Sequence, residues 1–322
     1  MPVPPYGADA AMVGAETTMK IVVTGATGFV GRHLCRALGT RGYQVRRALR
    51  SAGVAADADD VVVGEIGPRT DWSRALVGAD AVVHLAGPAH GRVRDDAAFF
   101  STSDAGTARL LEAMEEADLP VMVNMSSIAA RRAEEEGDGA SAYGRSKLAG
   151  ERRVSGFAKG GGLLAISLRP PLVYGADAPG NWARLMRLAR LPLPLPFASV
   201  NAARSFCAVE NLCDAIISAL EAGASGAKGA GVYEICDAET VTLAEVLTLL
   251  RAGAGRRAHL VPVPVGLLRS GIEAAGMHQL AEQLFDPLLL DASPFAERFG
   301  WQPPVAAPDA IKACSARKSV PR

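Results

Sequence analysis

The chain contains Ile21-Val22-Val23-Thr24-Gly25-Ala26-Thr27-Gly28-Phe29-Val30-Gly31, in which an apolar run leads directly into a glycine-rich turn. Residues 32–38 follow as a predicted helix, and residues 43–48 as a second strand. Glycine tolerates positive φ and lets a phosphate approach the backbone, while the positive end of the next helix attracts anions. This succession predicts a dinucleotide-binding turn, with an ordinary tight turn as the alternative. The residues expected to contact the dinucleotide here are Gly25, Thr27, Gly28, Phe29, Val30 and Gly31.

The end of the second predicted strand indicates which dinucleotide is bound. An acidic side chain there would hold the ribose 2′-hydroxyl of NAD, whereas an arginine suits the extra phosphate of NADP. Residues 45–51 contain no acid, and Arg50 and Ser51 lie where a phosphate could be bound. We therefore expect NADP(H) in preference to NAD(H), with a solvated surface charge as the alternative for Arg50. Glu65 and Ile66 follow the third predicted strand and could flank the adenine.

A second motif, Tyr143-Gly144-Arg145-Ser146-Lys147, lies about 120 residues after the turn, with Ser126-Ser127 a short way upstream. Tyr143 and Lys147 have the spacing that places two side chains on one face of a helix. An ammonium beside a tyrosine stabilises the phenolate and lowers the pKa of the phenol from about 10. Ser127, with Ser126 as the alternative, follows a predicted strand and could hold a substrate oxygen. We therefore predict that Ser127, Tyr143 and Lys147 are catalytic, against the alternative of an ordinary surface helix.

These motifs resemble the extended short-chain dehydrogenase/reductase family, and within it the NAD-dependent epimerases/dehydratases of the UDP-glucose 4-epimerase-like branch. The likeness spans about residues 19–305. It implies that residues 24–31 bind the cofactor and that Lys147 also binds the nicotinamide ribose. It implies further that the end of the fourth strand, at residues 80–87, passes near the nicotinamide. The other cofactor-binding residues that the resemblance implies are Leu85, Ala86, Gly87, Tyr143 and Pro170.

The resemblance extends to a substrate region. Residues 168–175 look like the family's entry into that region, and residues 181–182, 191–197 and 201–205 are similar to a subgroup that acts on UDP-sugars in surface-polysaccharide synthesis. The resemblance implies that Arg204 binds the diphosphate, for which a planar guanidinium is well suited. Taken alone, Arg204 could be a solvated charge. The substrate-binding residues expected on this basis are Ser126, Ser127, Asn181 and Arg204.

Two positions depart from the family pattern. The family often has Asn in a Phe-x-x-x-Asn-x-x-Gly-Thr segment, where residues 99–107 of this chain place Ser103. That Asn commonly orders the active site, so the role of Ser103 is open. The second departure is the missing acid after the second strand. Family epimerases characteristically retain NAD, and a site suited to NADP favours a net reductase instead.

Composition excludes several classes of function. The 322-residue chain is 49% hydrophobic with zero formal net charge, which argues against nucleic acid or an anionic membrane as a partner. Five cysteines, an odd number without metal-like spacing, indicate reduced thiols and a cytoplasmic protein. The five histidines form no ligand set, so no metal site is expected. The sequence shows neither a signal-peptide pattern nor about 18 continuous apolar residues, so no membrane span is expected.

Alternating strands and helices predict an α/β fold, with a Rossmann-like doubly wound parallel sheet and a smaller C-terminal substrate-binding lobe. The predicted strands are residues 20–24, 43–48, 60–63, 81–85, 121–125, 163–168 and 232–235. Residues 107–117 are the clearest predicted helix, residues 242–245 have capping-box spacing, and residues 131–136 are predicted to be a solvated charged loop. The expected organisation is a disordered tail at 1–18, a dinucleotide-binding domain at 19–169, a mainly substrate-binding lobe with returning Rossmann elements at 170–307, and a frayed tail at 308–322.

The motifs together suggest a reductase that uses NADPH, and the resemblance implies that it acts on the 4-keto group of a UDP-linked hexose such as a 6-deoxyhexose. Ser127 would bind the carbonyl oxygen, Tyr143 would donate the proton and Lys147 would lower the pKa of the tyrosine. A UDP-hexose 4-epimerase with tightly bound NAD is the alternative, and a non-catalytic dinucleotide-binding sensor or scaffold is a third possibility. The resemblance also suggests a homodimer through a four-helix interface that includes the Tyr143 helix.

Overall fold

The computed structural model describes residues 18–53, 57–87, 96–158 and 162–316. Its strands are β1 (Lys20–Thr24), β2 (Gln44–Leu49), β3 (Val61–Val62), β4 (Ala81–His84), β5 (Val121–Met125), β6 (Leu164–Arg169), β7 (Leu172–Tyr174), β8 (Phe206–Ala208) and β9 (Gly229–Glu234). Its α-helices are α1 (Phe29–Thr40), α2 (Ser73–Leu76), α3 (Asp96–Phe100), α4 (Thr107–Glu116), α5 (Ile128–Glu136), α6 (Ala142–Ala158), α7 (Asn181–Ala189), α8 (Val209–Ala224), α9 (Leu243–Gly253), α10 (Val265–Ala274), α11 (His278–Phe285), α12 (Ser293–Phe299) and α13 (Ala307–Ser315). The predicted tail at 1–18 lies outside these ranges except for Thr18.

Seven parallel strands form the central sheet in the order β3-β2-β1-β4-β5-β6-β9. The chain leaves β1 toward β2 on one side and returns to β4 on the other, so the strand order reverses between β1 and β4. In open α/β sheets, ligands bind beyond the carboxyl ends of the strands at such a reversal. The α/β, Rossmann-like prediction is confirmed.

The apolar strands are buried because helices cover both faces of the sheet. Ile21 and Val23 pack in one cluster with side chains of α1 and α8. Val22 points to the opposite face and packs in a second cluster that includes Leu110 of α4. Successive side chains of β1 therefore point into two different hydrophobic clusters. This fixes the register of the strand against its neighbours.

A third cluster forms the core of the second part of the chain. Tyr174, Trp182 and Phe206 stack within it, with ring centroids 4.6 to 6.3 Å apart. Asp237 connects this cluster to the sheet, because its carboxylate accepts hydrogen bonds from the Tyr174 hydroxyl at 2.8 Å and from Asn211 at 2.7 Å. The buried carboxylate of Asp237 thus links this cluster to the segment that follows β9.

Most strands begin and end within two residues of the predicted bounds, and the strands at 20–24 and 121–125 match them. The strand predicted at 232–235 begins three residues earlier, at Gly229, because small residues there carry little strand propensity. The short strands β7 and β8 were not predicted. Each has three residues, which is too short for alternation to show.

Two predictions about polar segments are wrong. Residues 308–315 do not fray: α13 packs against α9, with Ala307 and Ile311 fully buried. Residues 131–136 are helical rather than a loop, and Arg131 pairs with Glu234 at 2.8 Å. In both segments the charged residues lie on one side of a helix whose other side is apolar or paired. The predicted capping box of Thr242 and Glu245 is confirmed at the start of α9.

Across the described residues, no helix combines the length and the apolar character that crossing a membrane requires.

Candidate active site

The glycine turn connects β1 to α1 in a shape that larger residues would not fit. Gly25 has φ of +66°, and a Cβ there would lie 2.8 Å from the carbonyl carbon of Leu85. A Cβ on Gly31 would lie 2.2 Å from the carbonyl oxygen of Gly25. Thr27 and Gly28 remain exposed, immediately before the first turn of α1. The structure therefore brings the predicted turn residues together at an accessible helix N-terminus, a favourable place for an anion.

Thr24 joins the ends of β1 and β4 beside this turn. Its Oγ1 lies 2.8 Å from Nδ1 of His84 and accepts a hydrogen bond from the amide of Ala86 at 3.1 Å. The predicted nicotinamide-side residues Leu85, Ala86 and Gly87 consequently lie next to the glycine turn.

The arginines after β2 differ in their availability. Arg46 is buried and donates to two backbone carbonyls, and Arg47 makes a bidentate pair with Asp60. Arg50 is 79% exposed, and its guanidinium lies 4.0 Å from the Glu65 carboxylate. Arg50 is thus the one arginine of the three whose side chain could meet a ligand phosphate.

The other two residues predicted near the adenosine part lie close by. Ser51 is exposed beside Arg50. Ile66 is half-buried, and a Cβ on Gly106 would lie 2.8 Å from its Cγ2. Glu65 is 86% exposed. Of the two residues predicted to flank the adenine, Glu65 is therefore solvated and Ile66 is packed.

The twin serines lie at the carboxyl end of β5. Ser127 caps α5, because its Oγ accepts a hydrogen bond from the amide of Ala129 at 3.2 Å. The amide of Ile128 donates to the carbonyl of Pro170 at 3.0 Å, which fixes the loop against the end of β6. Pro170, predicted as a cofactor residue, is therefore a close neighbour of Ser127.

Tyr143 lies at the start of α6 and is hydrogen-bonded to the Ser127 hydroxyl. The ring of Phe99 packs edge-on against it, with centroids 5.8 Å apart. Burial raises the pKa of Tyr143 above its ordinary value, and the bond to Ser127 only partly opposes this. Burial therefore prevails and the phenol stays protonated at neutral pH, while the lowering of this pKa by Lys147 stays a prediction.

Lys147 lies one turn later on the same face. Its Nζ donates to the carbonyl of Met125 at 2.8 Å and lies close to Gly87. Burial lowers the pKa of Lys147 to about 8, and the negative charge of Glu151 opposes that fall. The structure thus brings Ser127, Tyr143 and Lys147 together beside the predicted nicotinamide residues, as the two motifs indicated.

Ser103 lies behind Lys147, in a π-helical turn (Ser101–Gly106) between α3 and α4. With His84 and Lys147 it lines a narrow cavity that has no space for a water molecule. Among the described residues, neither the Ser103 hydroxyl nor Nε2 of His84 has a hydrogen-bond partner. Burial and the charge of Lys147 lower the pKa of His84 to about 3, so the imidazole is neutral.

Sequence analysis did not single out Glu151 and Arg169. The Glu151 carboxylate is 2% exposed and accepts hydrogen bonds from Ser126 and from Arg169. The available signal was spacing, because Glu151 follows Lys147 by four residues and shares its helix face. Arg169 ends β6, and its role depends on strand order, which a single sequence does not reveal.

Arg204 lies just before β8. The β7–β8 register pairs Leu172 with Phe206, which places Arg204 beside the residues that leave β6. Its guanidinium donates to the carbonyl of Asp286. Burial lowers the pKa of Arg204, and the nearby Arg132 guanidinium lowers it further. The two guanidiniums thus repel each other electrostatically.

Asn181 occupies the first position of α7, and its side-chain amide is used within the protein. It donates to Gln283 at 2.9 Å and accepts from Arg184 at 3.3 Å. The structure therefore gives Asn181 a role in joining α7 to α11.

Comparisons with known proteins identify a family and similar folds. The sequence pattern of the NAD dependent epimerase/dehydratase family matches residues 21–236. The chain is 28% identical to a UDP-glucose 4-epimerase from Vibrio cholerae, over 91% of this chain and 93% of that protein. It is also 28% identical to 4-hydroxy-2-methyl-3-oxo-4-farnesyl-3,4-dihydroquinoline-1-oxide ketoreductase from Stigmatella aurantiaca, over 78% of each chain. The fold is similar to that of UDP-N-acetylglucosamine 4-epimerase from Bacillus cereus, with a TM-score of 0.73, 23% identity, and coverage of 92% of this chain and 98% of that one.

Proposed function

The chain belongs to the NAD-dependent epimerase/dehydratase family, and we propose that it acts within that family as a sugar-nucleotide reductase. It is therefore an enzyme of the short-chain dehydrogenase/reductase type that works with a nicotinamide dinucleotide. The proposed reaction reduces the 4-keto group of a UDP-linked hexose, such as a 6-deoxyhexose, with NADPH.

The residues present fit the cofactor. The turn keeps its shape only with glycine at positions 25 and 31, and the exposed Thr27 and Gly28 open the N-terminus of α1 to a pyrophosphate. When bound, NADPH supplies the hydride and is oxidised as the C4 ketone is reduced to an alcohol. The residues that would hold it are Gly25, Thr27, Gly28, Phe29, Val30 and Gly31 around the pyrophosphate, Arg50 and Ser51 at the 2′-phosphate, Glu65 and Ile66 at the adenine, and Leu85, Ala86, Gly87, Lys147 and Pro170 around the nicotinamide half.

The chain's own contribution is the proton and the placement of the carbonyl. Ser127 donates a hydrogen bond to the substrate C4 oxygen, and Tyr143 transfers its phenolic proton to that oxygen as the C4–H bond forms. The resulting phenolate would be stabilised by the positive charge of Lys147. Holding the substrate in the correct orientation against the nicotinamide ring would supply much of the rate enhancement.

One observation carries the proposal: the Tyr143 phenol is hydrogen-bonded to Ser127 and lies one helical turn before Lys147, whose ammonium is next to Gly87. A protonated phenol is ready to donate a proton to a ketone, which is the reductive step. An enzyme that begins by oxidising an alcohol needs the phenolate instead. The exposed Arg50 and the absence of an acid at the end of β2 support NADPH as the partner.

A UDP-linked substrate is supported by the mutual repulsion of Arg204 and Arg132, because a bound diphosphate would relieve it. The Vibrio cholerae relative is a UDP-glucose 4-epimerase. We keep Ser126 and Asn181 as proposed substrate residues, although both have partners within the protein.

The direct test is turnover. Purified protein is mixed with NADPH or NADH and a 4-keto UDP-hexose, and loss of nicotinamide absorbance is followed with product analysis by NMR. The proposal predicts formation of the C4 alcohol with NADPH favoured over NADH. If the protein reduces the 3-oxo-dihydroquinoline-1-oxide for which the Stigmatella aurantiaca relative is named, and reduces no 4-keto UDP-hexose, the substrate assignment is contradicted.

The alternative is a UDP-hexose 4-epimerase with retained NAD, favoured by the near-complete coverage of the Vibrio cholerae relative. Denaturing the purified protein and analysing released nucleotide separates the two. Stoichiometric NAD supports the epimerase, whereas an empty protein that binds NADPH supports the reductase. A sensor or scaffold without catalysis predicts dinucleotide binding and no turnover with either substrate.

Two further proposals accompany this function. The five free thiols suit a reducing compartment such as the cytoplasm. A homodimer would use the outer surface of α6, where Arg152 and Arg153 are exposed. Sedimentation of the purified protein tests that assembly.

A further inference from the structure

Glu151 is a buried carboxylate in the middle of the candidate site, and the proposed proton transfer does not use it. It lies on α6, four residues after Lys147 and eight after Tyr143. Its side chain is 2% exposed. A buried charge is costly unless it is paired and hydrogen-bonded, so its partners identify what it stabilises.

Those partners lie on the two strands that border the site. The Oε1 of Glu151 accepts a hydrogen bond from the Ser126 hydroxyl at 2.5 Å and from Nε of Arg169 at 2.8 Å. Its Oε2 accepts from Nη2 of Arg169 at 2.6 Å. The same Nη2 lies 2.8 Å from Glu134. One carboxylate therefore links α6 to the ends of β5 and β6, and through Arg169 to α5.

The bond to Ser126 fixes the loop that presents Ser127. The amide of Ser126 donates to the carbonyl of Leu168 at 2.8 Å, so backbone and side chain both hold this residue. Ser127 follows directly and begins α5. Its hydroxyl reaches Tyr143, which lies two turns before Glu151 on α6. The distance between the serine hydroxyl and the phenol thus depends on the contact between Glu151 and Ser126.

Glu151 is also the carboxylate that acts on Lys147. The titratable groups facing this part of α6 are the neutral His84 of β4, Tyr143 of α6 itself, and the Arg169 and Glu134 pair of β6 and α5. Among the other charged groups on the packed elements, Asp104 pairs with Arg153 and Glu234 pairs with Arg131. Removal of the Glu151 charge therefore leaves the Lys147 ammonium buried without a compensating carboxylate.

We propose that Glu151 is a positioning residue for the reduction. Its carboxylate holds Ser126, and with it the Ser127 hydroxyl, at the correct distance from Tyr143. The same carboxylate retains the positive charge of Lys147. The inference rests on the proposed function for the step that it assists, but its electrostatic part can be measured without turnover.

The electrostatic part is tested by NMR of protein labelled at the lysine ε-carbon, with Lys147→Arg assigning the resonance. Wild-type Lys147 is expected to lose its proton near pH 8. In Glu151→Gln, which keeps the size and one acceptor oxygen, the midpoint should fall by about one pH unit. In Glu234→Gln, the matched control, the midpoint should stay where it is. An unchanged midpoint in folded Glu151→Gln overturns this part.

The positioning part is tested by Ser126→Ala, which removes the link to the loop while the pair of Glu151 with Arg169 remains. The expected result is a loss in kcat of about tenfold or more with little change in the KM for NADPH, since a misplaced group slows chemistry more than binding. The Lys147 midpoint should not move. Wild-type kcat in Ser126→Ala overturns the positioning part, and this variant also serves if Glu151→Gln does not fold.

The two failures can be distinguished. If the wild type reduces no 4-keto UDP-hexose with NADPH, the proposed function is wrong, and the NMR titration still decides whether Glu151 sets the charge of Lys147. If the wild type is active and both variants match it in kcat and in titration, the function stands and the assignment of Glu151 is wrong.

Discussion

Lys147 and Met125 are joined by a hydrogen bond of 2.8 Å, from the ammonium of the lysine to the carbonyl oxygen of the methionine. This bond fastens α6 to the end of β5, directly before the twin serines. Burial lowers the pKa of Lys147 to about 8. The charge of this group therefore changes within the pH range over which enzymes are commonly assayed.

The first prediction concerns this titration. Because the folded-state pKa lies below the ordinary value, the ammonium is present below about pH 8 and is lost as the pH rises. We expect kcat/KM for reduction to fall by about tenfold per pH unit above that point. Lys147→Arg keeps its charge and should lose this alkaline limb, whatever its absolute rate. A wild-type profile that is flat well above pH 8 contradicts the role given to Lys147.

The second prediction concerns the glycine turn. A Cβ on Gly31 would lie 2.2 Å from a backbone oxygen, so Gly31→Ala must displace the turn. We expect destabilisation of about 1–3 kcal/mol and a dissociation constant for NADPH at least about tenfold higher. Gly39→Ala on the same helix meets nothing within 4 Å. That control should be stabilised by about 0.5–1 kcal/mol with unchanged NADPH affinity. Thermal unfolding and fluorescence titration measure both, and equal NADPH binding by the two variants would contradict the proposed site.

The third prediction concerns cofactor choice. Arg50 is exposed and faces Glu65 at 4.0 Å, so a 2′-phosphate would compete with that carboxylate for the guanidinium. Arg50→Ala should weaken NADPH binding by about tenfold and leave NADH binding unchanged, while Glu65→Gln should strengthen NADPH binding. Arg36→Ala removes another exposed arginine, from α1, as the control. Equal losses for NADPH and NADH in Arg50→Ala would assign the arginine to something other than the 2′-phosphate.

The fourth prediction concerns the C-terminal helix. A Cβ on Gly253 of α9 would lie 2.0 Å from the carbonyl oxygen of Lys312 in α13. Gly253→Ala should therefore separate the two helices and lower the free energy of unfolding by about 1–3 kcal/mol. Gly266→Ala in α10 meets nothing within 4 Å and is the matched control. If both variants have wild-type stability in denaturant unfolding, α13 does not pack as the structure shows.

Much of the site was predictable because its residues are related by local spacing. Gly25, Gly28 and Gly31 lie in one turn after one strand, and Tyr143 and Lys147 lie one helical turn apart. Ser127 was predictable because a strand end in a parallel sheet lies at the ligand-binding edge. These inferences needed no knowledge of which strands are neighbours.

The contacts that sequence analysis missed depend on partners distant in the chain. Glu151 and Arg169 meet because β6 lies beside β5, and Arg46 and Arg47 are occupied by groups that the sequence separates from them. The tail at 308–315 was misjudged because its charges conceal an apolar side that α9 covers. The pKa of Tyr143 likewise depends on burial, which spacing does not report.

The most direct test of the central claim is rapid-mixing measurement of NADPH oxidation by a 4-keto UDP-hexose in wild type and Tyr143→Phe. If the Tyr143 phenol supplies the proton, the variant should bind NADPH as the wild type does and transfer hydride about a hundredfold more slowly or worse. Wild-type hydride transfer by a folded Tyr143→Phe protein would show that the proton comes from elsewhere and would contradict the account.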